Sequence, residues 1–210
     1  MQLTLLQEAI ARYNPRLLIF DLDGTLYNLK KMQLFMSLYL ITFYLLRPWR
    51  WRELFILLRY RHWRNGLTDS NFSTDDELYQ SFAKTNGLNL EELQCLVETW
   101  LLNKPLRLLT YCRYPELQKL FAWCRSSGLE LAVFSDYPPT EKLDLLAYRF
   151  DYTLYTLNSG GLKPSPASLL LIAQHFALDQ SQCLVIGDMD AKDGLAAASA
   201  GMNFINIRNY

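Results

Sequence analysis

The sequence predicts an α/β chain, with a doubly wound parallel sheet as its core and an all-helical segment inserted after the first strand. Three observations predict it. Short, wholly apolar runs recur along the chain, as expected for strands buried on both faces. From residue 115 onward these runs alternate with helical patterns, the signature of βα units. Between residues 28 and 111 the alternation stops and only helix-period spacing remains.

The first strand is expected at 16–20 (RLLIF), and it runs straight into Asp21. Four helices are then expected at 30–46, 51–63, 75–84 and 89–102. Ser73-Thr74-Asp75 and Asn89 act as start signals, and Asn65-Gly66 and Asn86-Gly87 as stops. The alternation resumes with a helix over 115–127, which carries Leu117, Leu120, Phe121 and Cys124 on one face and stops at Gly128. A strand at 129–134 (LELAVF) and a weaker one at 151–155 come next. A helix over 166–177 sets Leu169, Leu170, Ala173 and Phe176 on one side. A strand at 183–186 (CLVI), a helix over 193–200 ending before Gly201, and a strand at 203–207 (NFINI) complete the series. The expected division is therefore a core of residues 1–27 and 112–210 and a helical domain of residues 28–111.

Composition narrows the class. Half of the 210 residues are apolar and a fifth are charged, an ordinary globular balance. Acidic and basic residues number 21 each, so no global charge points to nucleic acid or to an acidic partner. Cys95, Cys112, Cys124 and Cys183 lie far apart and form no C-x-x-C pair, and His62 and His175 stand away from them. That pattern argues against zinc and for reduced thiols in a cytoplasmic protein. No basic-then-apolar leader opens the chain, so no secretion signal is expected. The uncharged run at 32–46 has 15 residues and includes Gln33, Ser37 and Thr42. A membrane span needs about 20 apolar residues, so a buried or interfacial helix is expected.

In open α/β sheets, ligands bind beyond the carboxyl ends of the strands. The candidate site therefore lies in the residues just past each strand end: Asp21-Leu22-Asp23-Gly24-Thr25 after the first, Ser135-Asp136 after the second, and Gly187-Asp188 with Asp190 and Asp193 after the fourth. Gly161-Leu162-Lys163-Pro164 precedes the fourth. Carboxylates gathered at one sheet edge repel, and a hard divalent cation resolves that; oxygen ligands beside a phosphate suit Mg²⁺. Lys163 and the Ser135 hydroxyl can hold phosphate oxygens. Gly24 permits close backbone approach at the turn. Asp21 and Asp23, two apart beyond the strand end, can serve one reacting group as nucleophile and acid/base. Taken singly, Asp193 reads as the N-cap of the last helix, Asp190 as a surface or supporting acid, and His175 as an ordinary helix residue.

At these residues a resemblance becomes specific. DLDGTLY at 21–27, Ser135-Asp136 after a buried strand, GGLKP around Lys163 and VIGDMDAKDGLAAASAGM resemble, in order and spacing, the four motifs of the haloacid dehalogenase-like superfamily. The resemblance implies a Rossmann-like core whose helical insert is a cap. It implies an Mg²⁺-dependent phosphatase acting on a small phosphate ester through an aspartyl-phosphate. Asp21 would be the nucleophile and Asp23 the general acid/base. Ser135 and Lys163 would hold the phosphoryl group, with Asp136, Gly24 and Thr25 beside it. Asp21, the backbone carbonyl of Asp23, Asp188 and Asp193 would surround the metal. Asp23 argues against dehalogenation, since halide leaves without a proton, and Leu22-Asp23 departs from the Lys-Thr of P-type ATPases. Met189 stands where Ser or Arg is common, a change expected to tune the site. A sugar-phosphate mutase or a silent scaffold on the same fold stays open.

One feature lies outside those motifs. Residues 30–64 hold eight basic residues against one acid, Glu53, together with nine aromatics. A helical domain with its own core and a solvated basic face accounts for most of them. The segment Arg47-Pro48-Trp49-Arg50-Trp51-Arg52 fits that account less well. Interleaved Trp and Arg suit a peripheral membrane contact or an amphipathic phosphate ester.

Overall fold

Successive residues of a strand point to opposite faces, and the buried strands here use both. Leu18 and Phe20 pack into one apolar cluster with Leu131, Val133, Leu184 and Ile186, while Leu17 and Ile19 pack into another with Ala132, Phe134, Cys183 and Val185. A sheet apolar on both sides must be covered on both. In the computed structural model, which describes residues 2–67, 72–159 and 161–210, helices cover both faces.

The sheet has five parallel strands, β1 (Leu17–Asp21), β2 (Glu130–Ser135), β3 (Tyr152–Tyr155), β4 (Cys183–Gly187) and β5 (Asn203–Asn206), in the order β3-β2-β1-β4-β5. On one face lie α1 (Leu3–Tyr13), α7 (Glu116–Ser126) and α8 (Thr140–Leu146). On the other lie α9 (Ala167–His175) and α10 (Leu195–Ser199). Strand order reverses beside β1, so the carboxyl ends of β2, β1 and β4 stand side by side at the switch point where such sheets bind ligands.

Helices α2 (Leu29–Leu45), α3 (Trp51–Asn65), α4 (Asp75–Asn86), α5 (Leu90–Val97) and α6 (Lys104–Leu109) form the segment after β1. Asn28, Thr74 and Asn89 cap α2, α4 and α5 by accepting backbone N–H groups of Lys31, Glu77 and Glu92. Gly87 closes α4 in the left-handed conformation. The chain leaves and re-enters the sheet region along one seam, where the Asn28 N–H donates to the Cys112 carbonyl at 2.8 Å and Tyr27 bridges Arg113. This segment has an apolar cluster of its own around Tyr60, Tyr79, Phe82 and Leu93. It also shares Tyr44, Leu57 and Trp100 with the cluster that covers the sheet.

Several boundaries differ from those expected. Ser135 is the last residue of β2 and does not lie beyond it. The last helix starts at Leu195, because residues 190–194 form a wider, π-helical turn. Asp193 lies inside that turn and is not an N-cap. The helix expected over 89–102 ends as α5 at Val97, passes through a π-helical stretch at 98–103, and continues as α6. Helices α1 and α8 were not anticipated. Gly160, the first glycine of the GGLKP run, lies outside the described residues.

Candidate active site

Strand β1 carries Asp21 to the sheet edge with its side chain buried. The turn after it returns the Thr25 hydroxyl to donate to Asp21 Oδ2 at 2.9 Å, fixing the carboxylate. Glycine is required in that turn: Gly24 has φ of +106°, and a Cβ there would run into the Asp188 carboxylate. The close approach of β1's turn to the end of β4 is thus written into this residue.

Lys163 is the hub of the site. Its buried Nζ donates to Asp21 Oδ1 and to Asp193 Oδ1, the latter at 2.9 Å. Its backbone N–H donates to Asp136 Oδ1 at 3.2 Å, and the peptide bond to Pro164 is cis. Burial works against the ammonium, but Asp193 and Asp21 outweigh it and raise the Lys163 pKa. Burial raises the pKa of Asp21 strongly and Lys163 counters it; burial likewise raises that of Asp188, with Arg208 countering.

Asp193 reaches back from its turn, accepting the backbone N–H groups of Asp188 and Met189 at 3.2 and 3.1 Å through Oδ2. This sets Asp188 at the end of β4 beside Asp21. One ligand atom each from Asp21, Asp188 and Asp193 lie within 4.8 Å of one another, and all three residues are buried. Three carboxylates face two cations, Lys163 and Arg208, the latter paired with Asp188 Oδ2. The unbalanced negative charge and the all-oxygen donor set fit a hard divalent cation. The Met189 side chain points to solvent, so its departure from the common residue leaves the cluster intact.

Asp23 stands apart from that trio by its side chain. Both its carboxylate oxygens accept from Lys142 Nζ, at 2.6 and 2.9 Å, and Oδ1 also accepts from the Tyr27 hydroxyl at 2.6 Å. Burial works to raise its pKa, but Lys142 and Tyr27 reverse that and hold the carboxyl below the usual range. Ser135 is buried at the end of β2, its Oγ accepting the Tyr137 N–H at 3.2 Å. The Asp136 carboxylate turns inward: it accepts from Thr156 Oγ1 at 2.8 Å and lies 3.5 Å from Lys192 Nζ. It therefore braces the Lys163 loop, which leaves only the backbone of Asp136 to meet a phosphate. Asp190 accepts from Asn206 Nδ2 at 3.0 Å, the supporting role expected of it. His175, at the end of α9, stacks on Tyr152.

Tyr27 closes the DLDGTLY run, whereas three residues of the site carry no signal in the sequence: Lys142, Arg208 and Arg64. Arg64, at the end of α3, is buried against the far side of the site. It donates to Asp75 Oδ1, to the Asp136 carbonyl and to the Tyr155 hydroxyl, each at 2.9 Å. It also covers the Tyr137 ring at 4.2 Å. A cavity of about 320 Å³ reaches Asp188 past Gly24, Lys30, Tyr114 and Arg208. Two larger cavities, of about 470 and 670 Å³, open among the inserted helices and touch none of the clustered carboxylates.

Comparisons with known proteins bear on the family and the fold. The family description haloacid dehalogenase-like hydrolase matches residues 15–201. The chain is similar in structure to β-phosphoglucomutase from Clostridium difficile, with a TM-score of 0.62 and 17% identity over 91% of this chain and 84% of that one. It is similar to 2-haloacid dehalogenase from Pseudomonas syringae pv. Tomato DC3000, with a TM-score of 0.61 and 20% identity over 91% and 86%. It is similar to a HAD phosphatase from Thermococcus onnurineus, with a TM-score of 0.58 and 22% identity over 91% and 86%. At such identities these structures speak for the fold alone. No curated protein matches the chain by sequence. The family match spans β1 to β4 and the residues Asp21, Lys163, Asp188 and Asp193, and the chain belongs to the haloacid dehalogenase-like hydrolases.

Proposed function

We propose that the protein is an Mg²⁺-dependent phosphatase that hydrolyses a small phosphomonoester in two steps, with Asp21 as nucleophile and Asp23 as acid and then base. The observation that carries this reading is the buried cluster of Asp21, Asp188, Asp193 and Lys163 at the switch point of the sheet, in a hydrolase of this family. Asp21, Asp188, Asp193 and the backbone carbonyl of Asp23 would hold the cation. When bound, it would offset the repulsion between the Asp21 carboxylate and the phosphoryl oxygens.

In the first step an Asp21 oxygen forms a bond to phosphorus as the ester P–O bond breaks, and Asp23, protonated once bound substrate separates it from Lys142, gives that proton to the departing oxygen. Lys163, Ser135 and the backbone of Asp136 hold the phosphoryl oxygens, while Thr25 keeps Asp21 aligned. In the second step Asp23 takes a proton from water. The water oxygen attacks phosphorus, and Asp21 is released as carboxylate. Residues 28–111 act as a cap on the core of residues 1–27 and 112–210. Asp21, Ser135 and Lys163 are nearly sealed from solvent, so the cap must open to admit substrate.

The test is phosphate release across sugar phosphates, nucleotides, phospho-amino acids and lipid phosphates, with and without Mg²⁺. Turnover should need the cation, and Asp21→Asn should abolish it while the protein stays folded. Retained turnover in that variant would refute the nucleophile. Isomerisation of a sugar phosphate without phosphate release would favour a mutase.

A further inference from the structure

Helix α2 turns an apolar stripe to solvent. Leu34, Leu38, Ile41 and Leu45, spaced four, three and four apart, lie on one side of the helix and are 57, 54, 54 and 63% exposed. The opposite side, with Met32, Met36 and Tyr44, is already buried, so the helix needs no further partner within the chain. Helix α3 repeats the design. Trp51, Phe55 and Leu58 form an exposed stripe, flanked by Arg52 and Arg59 on one side and Arg61 on the other, while Leu57, Tyr60 and Arg64 face inward. Between the helices, Trp49 is 76% exposed.

Large exposed apolar patches mark interaction sites, and here the charges around the patch choose among occupants. No ion pair among the described residues engages Lys30, Arg52, Arg59 or Arg61. A second copy docking by the same face would set Lys30, Arg52, Arg59 and Arg61 against the same four cations. An anionic lipid surface meets both halves of the pattern: acyl chains take the apolar stripes, and headgroup phosphates take the cations. The helices are built to lie on such a surface and not to cross it, since no helix among the described residues is long and apolar enough to span a membrane.

We propose that the α2–α3 face docks the protein onto an anionic lipid bilayer. The proposal is independent of the reaction at Asp21. The test is flotation with vesicles of phosphatidylcholine alone and of phosphatidylcholine mixed with phosphatidylglycerol. The protein should float with the anionic vesicles and stay in the soluble fraction with the neutral ones. Each cation near such a surface strengthens binding roughly fivefold, so Arg52→Glu with Arg59→Glu should weaken it by more than about tenfold. Leu38→Glu with Ile41→Glu should weaken it as much, with circular dichroism melting unchanged. Should that apolar pair fail to fold, the arginine pair carries the test. Three results would overturn the proposal: no flotation with anionic vesicles at low salt, equal binding to both vesicle types, or a concentration-dependent dimer that Leu38→Glu with Ile41→Glu dissolves. The last would assign the face to a second copy.

Discussion

Lys163 neutralises two buried carboxylates at once, so its removal leaves both uncompensated. Breaking a buried pair from one side costs about 3–5 kcal/mol. Lys163→Met should lower urea stability by that order in metal-free buffer, and a melting curve unchanged from wild type would show the pairs to be unimportant. Asp21 and Asp23 were legible because each sits at a fixed step from a strand end, and Lys163 because it stands before Pro164 in a run that resembles a family motif. Lys142, Arg208 and Arg64 were not, because a cation's partner is chosen by three-dimensional packing and its sequence neighbours say nothing of it. The cysteines give a second residue-scale expectation. Cys95 is exposed and the other three are buried, so a thiol reagent should label one site in the native protein and four after denaturation. Burial pushes Cys124 up to about 12 and Cys183 up to about 11. Thiols whose folded pKa exceeds the unfolded value contribute stability that is complete below the ordinary thiol pKa of 9.0 and is lost as pH rises through 11 and 12. Stability should therefore fall by on the order of 5 kcal/mol between about pH 8 and pH 11, each thiol losing ~1.4 kcal/mol per pH unit once its unfolded form ionises. Equal urea midpoints at the two ends would contradict it.

The sheet was readable at the level of elements because strands buried on both faces leave unbroken apolar runs. The two unanticipated helices differ in why they were missed. Helix α1 buries Leu6, Ala9 and Ile10, a helical spacing that the sequence carries without a capping side chain to mark its start. Helix α8 hid better: it has seven residues and ends at Ala147, which takes φ of +54° where a glycine would have announced the stop. Helices α2 to α5 were legible one by one, but α6 (Lys104–Leu109) lies past the helix expected over 89–102, and the seating of the insert on the core was not legible. That seating runs through Arg64, whose guanidinium ties α3 to α4 through Asp75 and to the sheet edge through Tyr155 and the Asp136 carbonyl. Leu78 of α4 adds an apolar contact to Leu157 and Leu162, next to Lys163. Arg64→Ala should cost about 3 kcal/mol and speed proteolysis within the inserted helices before the sheet is cut. Arg64→Lys should not rescue it, because one ammonium cannot reproduce a planar fork shared by three acceptors. Uniform cleavage of both parts in Arg64→Ala would mean that the latch does not hold them together.

Charge is divided unevenly over the molecule. The inserted segment carries a basic excess over residues 30–64 while the rest is acidic, with 20 acids against 13 bases. The acidic part concentrates three buried carboxylates where only Lys163 and Arg208 oppose them. A fold that accepts that repulsion should gain stability from any divalent cation the trio binds. Ligand linkage adds about 2.7 kcal/mol at a concentration one hundred times the dissociation constant. For a chain of this size that is a rise of about 5–10 °C in melting temperature. Mg²⁺ should therefore raise the midpoint of the wild type, and a chelator should restore the lower value. Asp188→Asn should abolish the shift, since it removes one ligand and one of the repelling charges while Asp23 and Lys142 keep their separate pair. An asymmetry is expected too: without metal, Asp188→Asn should be at least as stable as wild type, because the charge it loses was only partly compensated. A wild type that melts at the same temperature with Mg²⁺ and with chelator, over a titration that saturates phosphate release, would detach the cation from these three carboxylates and leave Lys163 and Arg208 as the only positive charge the cluster uses.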